Sequence, residues 1–157
     1  RKRVSLGASN WMRLAPGVTH MSTGKLSHLQ MNVNAANLPF YSGLFSFLAW
    51  DPIYCDDVTV SFNSVGDVSL WFIGGATGVT NDYDGPGVNH IALAAESQAE
   101  VDETVAYLEA HGIARLFETP RHRPDFSQSD EHTYYQVMFE SPDRILFEVV
   151  YTGPKDK

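Results

Sequence analysis

The sequence predicts an α+β domain in which two βαβββ modules form a curved mixed sheet around a cavity. The first observation is an internal repeat: LSHLQMNV, which begins at Leu26, and VNHIALAA, which begins at Val88, both read apolar, polar, His, apolar, any, apolar. The second is that both segments alternate, which is typical of a half-buried strand. The third is that each segment is followed by a helix signal and then by three short strand-like runs.

The length of 157 residues suits one domain, and 43% hydrophobic residues are enough to form its core. We expect residues 1–22 to be a leader segment outside the fold, because they carry basic residues but no periodicity. Residues 23–157 would then form the single domain, with modules at about 25–75 and 87–152. The stretch 74–87, rich in Gly, Asp and Asn, would link the two modules.

Helix signals follow the first strand of each module. In the first module, Asn37 is a candidate N-cap and Pro39 suits an opening turn. In the second, Ser97 and Glu100 form a capping-box pattern, and Gly112 suits the residue after the helix. The apolar residues expected to face the core are Phe40, Leu44 and Phe47 in the first helix and Val101, Val105 and Leu108 in the second.

Three strands are expected after each helix. In the first module they lie near residues 49–54, 58–63 and 68–73, and in the second near 114–118, 133–140 and 145–151. The polar stretch 120–132 has no counterpart in the first module. A long loop of this kind is either a lid or binding loop or a plain solvated insertion.

Composition excludes several classes of partner. The formal net charge of −8 disfavours binding to nucleic acid and to anionic membrane surfaces. The sequence contains no apolar run of about 18 residues, the length a membrane-spanning helix needs. A single cysteine, Cys55, excludes an internal disulfide and fits a cytoplasmic protein. We therefore expect a small-molecule substrate.

The repeat also predicts a metal site. His28 and His90 occupy equivalent places, and aligning SLWFI with LFEVV pairs Trp71 with Glu148. Strand alternation places Glu148 on the face opposite the apolar residues Phe147 and Val149, together with the histidines. A carboxylate inside an apolar strand needs a partner, a shifted pKa or a cation.

His28, His90 and Glu148 are therefore candidate ligands for one divalent metal ion. This donor set suits Fe, Mn, Co, Ni or Zn better than Ca or Mg, which prefer all-oxygen sites. The structural alternative is that each histidine is simply hydrogen-bonded and that Glu148 belongs to an ion pair.

Four motifs, SHLQMNV, FYSGLFSFLAW, NHIALAAES and RILFEVVYT, resemble the vicinal-oxygen-chelate superfamily. This group includes glyoxalase I, bleomycin-resistance proteins, fosfomycin-resistance thiol transferases, methylmalonyl-CoA epimerase and extradiol dioxygenases. The resemblance covers most of residues 25–151. It implies that His28, His90 and Glu148 are the metal ligands of the first, fifth and eighth strands, and it implies a homodimer.

The departures from this resemblance bear on the reaction. Glyoxalase I and the epimerase use a fourth ligand on the fourth strand, where this sequence has Trp71, or Ser69 or Leu70 in a shifted register. Extradiol dioxygenases carry a further histidine shortly before the second ligand, and GGATGVTNDYDGPGVN has none. Fosfomycin enzymes need cationic groups, whereas the late strands here offer mainly Tyr134, Tyr135 and Gln136.

The chemistry would need a proton donor or acceptor beside the metal. Tyr134, Tyr135 and His132 are the catalytic candidates, with His122 as a further loop histidine. Only one of the two tyrosines can face the cavity, and either could instead be a cross-strand packing residue. The candidate substrate-binding residues are Trp71, Gln30 and Gln136.

Two functions remain open from sequence. One is a metal-dependent lyase, isomerase, transferase or dioxygenase that acts on a small oxygen-bearing substrate. The other is a metal-free protein that binds and sequesters a small molecule such as an antibiotic.

Overall fold

The computed structural model of the protein describes residues 24–64 and 66–155. The leader segment predicted at residues 1–22 lies outside the described residues. In the described part, no helix is long and apolar enough to cross a membrane.

The predicted α+β fold with two modules is confirmed. The first module contains β1 (His28–Asn32), α1 (Leu38–Phe47), β2 (Asp51–Cys55), β3 (Thr59–Asn63) and β4 (Ser69–Ile73). The second contains β5 (Ile91–Ala95), α2 (Gln98–Ala110), β6 (Arg121–His122), β7 (His132–Glu140) and β8 (Leu146–Pro154). Each module forms its own four-stranded mixed sheet, in the orders β1-β4-β3-β2 and β5-β8-β7-β6. The curved mixed sheet that the sequence predicts is thus made of two four-stranded sheets, one from each module.

Both helices begin close to their predicted signals. Ser97 accepts a hydrogen bond from the Glu100 amide, as a helix N-cap does, and Gly112 has the left-handed φ of 66° expected after a helix. Asn37 makes no side-chain cap bond, because a short 3-10 turn (Ala35–Asn37) precedes α1 and its cap is Asn34. The buried face of α1 is also rotated from the prediction and consists of Leu38, Tyr41, Leu44 and Phe45.

Strand register confirms that the two modules are repeats of one pattern. β1 runs parallel to β4 with Gln30 opposite Trp71, and β5 runs parallel to β8 with Ala92 opposite Glu148. Gln30 and Ala92 each lie two residues after the repeat histidine. Trp71 in the first module therefore occupies the place that Glu148 occupies in the second.

One predicted strand is wrong. Residues 114–118 contribute only an isolated bridge between Arg115 and Phe139, and the edge strand β6 forms instead within the stretch expected to be a loop. Phe117 and Glu118 have φ values of 56° and 57°, a left-handed conformation that interrupts an extended strand. The chain therefore turns here and pairs with β7 only at Arg121 and His122.

The apolar faces of both sheets and both helices share one core. Leu70 and Phe72 of β4, Phe147 and Val149 of β8, and Phe45 of α1 all belong to one buried cluster. Side chains alternate across a strand, so the faces that carry His28 and Glu148 are the opposite faces of their sheets. These two polar faces consequently point away from the shared core.

Candidate metal site

His90 and Glu148 meet on the polar face of the second sheet. The His90 Nε2 atom lies 3.1 Å from Glu148 Oε2, and the two side chains are 36% and 2% exposed. His90 directly precedes β5, and Glu148 is the third residue of β8, the strand next to β5 in the sheet. A carboxylate this well buried needs compensating positive charge or hydrogen bonds. Among the described residues, His90 is one of its two side-chain partners, and Tyr134 is the other.

Asn89 fixes the Nδ1 atom of His90 as a hydrogen-bond donor. The Asn89 Nδ2 amide donates to the Tyr83 carbonyl oxygen at 2.8 Å, which leaves Asn89 Oδ1 facing His90 Nδ1, also at 2.8 Å. Because Oδ1 can only accept, Nδ1 of His90 must donate. A neutral His90 then directs the bare lone pair of Nε2 at the carboxylate of Glu148, an arrangement that a cation between them would satisfy.

The strand faces distinguish the two adjacent tyrosines. Tyr134 donates its hydroxyl to Glu148 Oε1 at 2.9 Å, whereas the Tyr135 hydroxyl donates to Asp102 of α2 at 2.7 Å. Tyr135 therefore lies on the opposite, helix-facing side and does not reach the site. Burial, followed by the bond to Glu148, raises the pKa of Tyr134 to about 12. At neutral pH Tyr134 is thus a proton donor to Glu148.

The third predicted ligand lies elsewhere in the chain. His28 is exposed at the start of β1, on the polar face of the first sheet. Among the residues that the structure describes, no three His, Cys, Asp or Glu side chains are grouped closely enough to hold one metal ion. One chain thus brings two of the three predicted ligands together, and the three-ligand site stays a prediction that a single copy does not fulfil.

The pair that does meet fits a divalent ion. Two donor atoms 3.1 Å apart can both lie about 2.1 Å from one point, the usual distance from zinc to nitrogen or oxygen. The second ring nitrogen of His90 is hydrogen-bonded to Asn89, and Glu148 is held by Tyr134, as metal ligands in proteins usually are.

The predicted substrate-binding residues divide between the two polar faces. Gln30 is exposed on β1, and Trp71 is half-buried on β4, where its indole nitrogen donates to Ser69 Oγ at 3.0 Å. Gln136 is 2% exposed on β7, on the same face as Glu148. Trp71 is thus a wall residue of the polar face and is not part of the core.

The structure gives His132 and His122 hydrogen-bond partners other than His90 and Glu148. Both line a pocket of about 660 Å³ formed by the long loop, whose lining includes neither His90 nor Glu148. The Nδ1 atom of His132 is 2.8 Å from Ser129 Oγ, and that of His122 is 2.6 Å from Thr133 Oγ1. The side-chain hydrogen bond of His132 is thus to Ser129, and none described joins His132 to the His90–Glu148 pair.

Sequence reasoning missed two residues of this face. The sequence gives no signal for Asn89, because its role depends on the carbonyl of Tyr83, a contact that no spacing indicates. The sequence places Arg121 in the expected loop 120–132, whereas in the structure it pairs with Gln136 across β6 and β7 and so lies on the Glu148 face. A basic residue within a polar stretch beside Pro120 was the only sequence signal for it.

Comparison with solved structures identifies the architecture. The chain superposes on a glyoxalase-type protein from Bacillus halodurans with a TM-score of 0.67 and 27% identity, over 82% of this chain and 96% of that one. The chain has the vicinal-oxygen-chelate fold. Two further proteins with this fold are a glyoxalase/dioxygenase from Nostoc punctiforme and the fosfomycin resistance protein FosX from Listeria monocytogenes, which was crystallised with Mn(II) and sulfate.

These further matches are more distant in sequence. The Nostoc protein is 18% identical with a TM-score of 0.61, over 89% of this chain and 96% of that one. FosX is 20% identical with a TM-score of 0.59, over 83% of this chain and 92% of its own. No family model matches the sequence.

A curated relative is similar to part of this chain. It is the uncharacterized protein YqjT of Bacillus subtilis, 42% identical over 64 residues. The match covers 41% of this chain and 46% of YqjT, so it spans less than half of either protein.

Proposed function

We propose that this protein is a metal-dependent enzyme in which His90 and Glu148 hold one divalent ion that chelates a small oxygen-bearing substrate. The observation that carries the proposal is the 3.1 Å approach of His90 Nε2 to the buried carboxylate of Glu148, with the other ring nitrogen of His90 held by Asn89. FosX, which has the same fold, was crystallised with Mn(II), so an ion of this class is the reasonable choice.

We propose further that His28 of a second copy completes the site in a homodimer. His28 has the residue type, the repeat position and the exposure that a third ligand requires, but it lies on the polar face of the other sheet. That face exposes the neighbouring polar residues Gln30 and Asn32 as well as Tyr54, which is 48% exposed. A two-fold dimer would cover two such faces at once, each with the Glu148 face of the partner.

The residues around the ion would divide the work between them. A bound divalent ion would supply Lewis acidity to substrate oxygens. Asn89 orients His90, and Tyr134 holds the second oxygen of Glu148 through a proton that it keeps at neutral pH. While its hydroxyl is bonded to Glu148, Tyr134 is a positioning residue. It could donate its proton to substrate only if the hydrogen bond to Glu148 were broken.

Metal content tests the proposal most simply. Protein purified without chelator should contain close to one Mn, Fe, Co, Ni or Zn ion per chain by elemental analysis. Glu148→Gln and His90→Ala should each reduce this to background, because a two-donor pair loses one donor. The matched controls are Glu109→Gln, which alters an exposed carboxylate paired with Arg115, and His111→Ala, which removes a histidine at the end of α2.

Two results would contradict the proposal. One is wild-type protein without metal that also fails to bind Mn(II) or Zn(II) in dialysis. That result would mean that Nε2 of His90 donates a hydrogen bond to Glu148, and it would favour the alternative function of a metal-free protein that binds a small molecule. The other is full metal content in both site variants. Circular dichroism and thermal unfolding establish that each variant is folded.

A further inference from the structure

We infer that Arg121 and Gln136 form an oxyanion-binding site beside the metal pair, so that the substrate carries an anionic oxygen group. This inference rests on the proposed function, since it names the substrate class of the same face. Arg121 and Gln136 are direct partners in the register of β6 and β7, so their side chains lie on one face of the sheet. Gln136 is in turn opposite Val150, two residues from Glu148.

Both side chains have a buried donor with nothing to bind. The Nε atom of Arg121 and the Nε2 atom of Gln136 are fully buried and have no hydrogen-bond partner in the described structure. Gln136 as a whole is only 2% exposed. Buried donors are almost always paired in folded proteins, because an unpaired one is costly. Two of them on facing residues indicate an acceptor supplied by a ligand.

Existing contacts leave this guanidinium available. The only salt bridge of Arg121 among the described residues is to Glu118, with 3.8 Å between Nη1 and Oε2. Glu118 is 93% exposed, so water screens this pair and it contributes little. The contact also uses Nη1 and leaves Nε free to bind a ligand.

The chemistry of the two donors defines the ligand. An arginine Nε–H and an amide N–H can only donate, so the group they bind must be an acceptor. The fixed charge of the guanidinium favours an anion, and its geometry matches carboxylate and phosphonate oxygens alike. A substrate with an oxyanion at one end and oxygens for the metal at the other would span Arg121 and the His90–Glu148 pair.

Acetate and methylphosphonate are suitable probes, because they differ only in the anionic group. Titrations followed by NMR or calorimetry should be run on metal-free and on Zn(II)-loaded wild-type protein. We expect at least one anion to bind saturably in both forms, and the tighter one identifies the substrate as a carboxylate or a phosphonate. Arg121→Gln should weaken that binding about tenfold or more, the usual effect of losing a charged hydrogen bond, and should leave the Zn(II) dissociation constant within about twofold.

Two variants serve as controls. Arg115→Gln removes the same charge from an arginine that pairs with Glu109, and it should change neither anion nor metal binding. Gln136→Met should weaken anion binding without lowering the melting temperature, because the amide nitrogen has no partner to lose. A marked loss of stability in Gln136→Met would assign this amide a structural role and would overturn its part in the site.

The outcomes separate this inference from the proposed function. Absence of saturable anion binding, or equal binding by wild type and Arg121→Gln, overturns the oxyanion site even if Zn(II) binds. Absence of Zn(II) binding overturns the proposed function, while the metal-free titration still tests the oxyanion site.

Discussion

Replacement of Asn89 by Ala should weaken metal binding without removing any metal ligand. In the wild type, Asn89 Oδ1 accepts from His90 Nδ1 at 2.8 Å, and the Asn89 amide is itself anchored on the Tyr83 carbonyl. Without this acceptor the neutral imidazole can move its proton to Nε2. That atom would then donate to Glu148 Oε2, 3.1 Å away, and would no longer offer a lone pair to a metal.

The size of the effect follows from these two hydrogen bonds. The lost bond to a neutral amide contributes about 1 kcal/mol, and a competing bond to a carboxylate contributes about 1.5–3 kcal/mol. A metal ion must break the competing bond before it binds. We therefore expect an affinity loss of about 10- to 100-fold, the range measured for residues that orient metal ligands.

The assay is competition between the protein and a chromogenic chelator for Zn(II) at pH 7.5. Asn81→Ala is the matched control, because its exposed amide also donates to a backbone carbonyl, that of Arg144, at 2.8 Å but lies outside the site. An Asn89→Ala dissociation constant within about twofold of the wild-type value, in a folded protein, would refute the role assigned to Asn89.

Three further predictions concern stability. Phe45→Ala should lower the free energy of unfolding in urea by about 3–5 kcal/mol, because this buried ring packs on Trp50, Phe62, Phe72 and Phe147. Phe47→Ala is the control and should lower it much less, because the Phe47 ring is 37% exposed; equal losses would contradict the shared core. Ser97→Ala should cost about 1 kcal/mol through loss of the helix cap, and an unchanged urea midpoint would argue against that cap. Burial raises the pKa of both Tyr134 and Tyr135 to about 12, so their contribution to stability is present below pH 10 and is lost between pH 10 and 12; complete tyrosinate absorbance already at pH 10 would exclude these shifts.

Local patterns predicted most of the fold because they reflect the side chains of single elements. Alternation correctly placed Glu148 on the face opposite Phe147, and the repeat correctly matched it with Trp71. The capping pattern at Ser97 formed as expected. The parity of neighbouring residues also predicted that only one of Tyr134 and Tyr135 could face the site, although the choice between them required the structure.

The errors arose at features whose position depends on tertiary packing. Periodicity identifies an apolar face, but it does not state whether two such faces pack on separate cores or on a shared one. Phe72 and Phe147 share one core, and the described residues do not bring His28 into one ligand group with His90 and Glu148, which the two repeats alone predict. The left-handed conformations of Phe117 and Glu118, which displace β6 to Arg121, involve residue types that give no signal for them.

The central claim is that the metal site is shared between two copies of the chain. The most direct test is to mix two variants that each lack one of the proposed metal ligands. His28→Ala and His90→Ala protein, each unable to hold the ion tightly, are unfolded together at equal concentration and refolded. Random pairing makes half of the dimers mixed, and each mixed dimer has one intact site. The account therefore predicts recovery of about a quarter of the wild-type Mn(II) sites. No recovery from the mixture, or wild-type Mn(II) binding by His28→Ala alone, would contradict it.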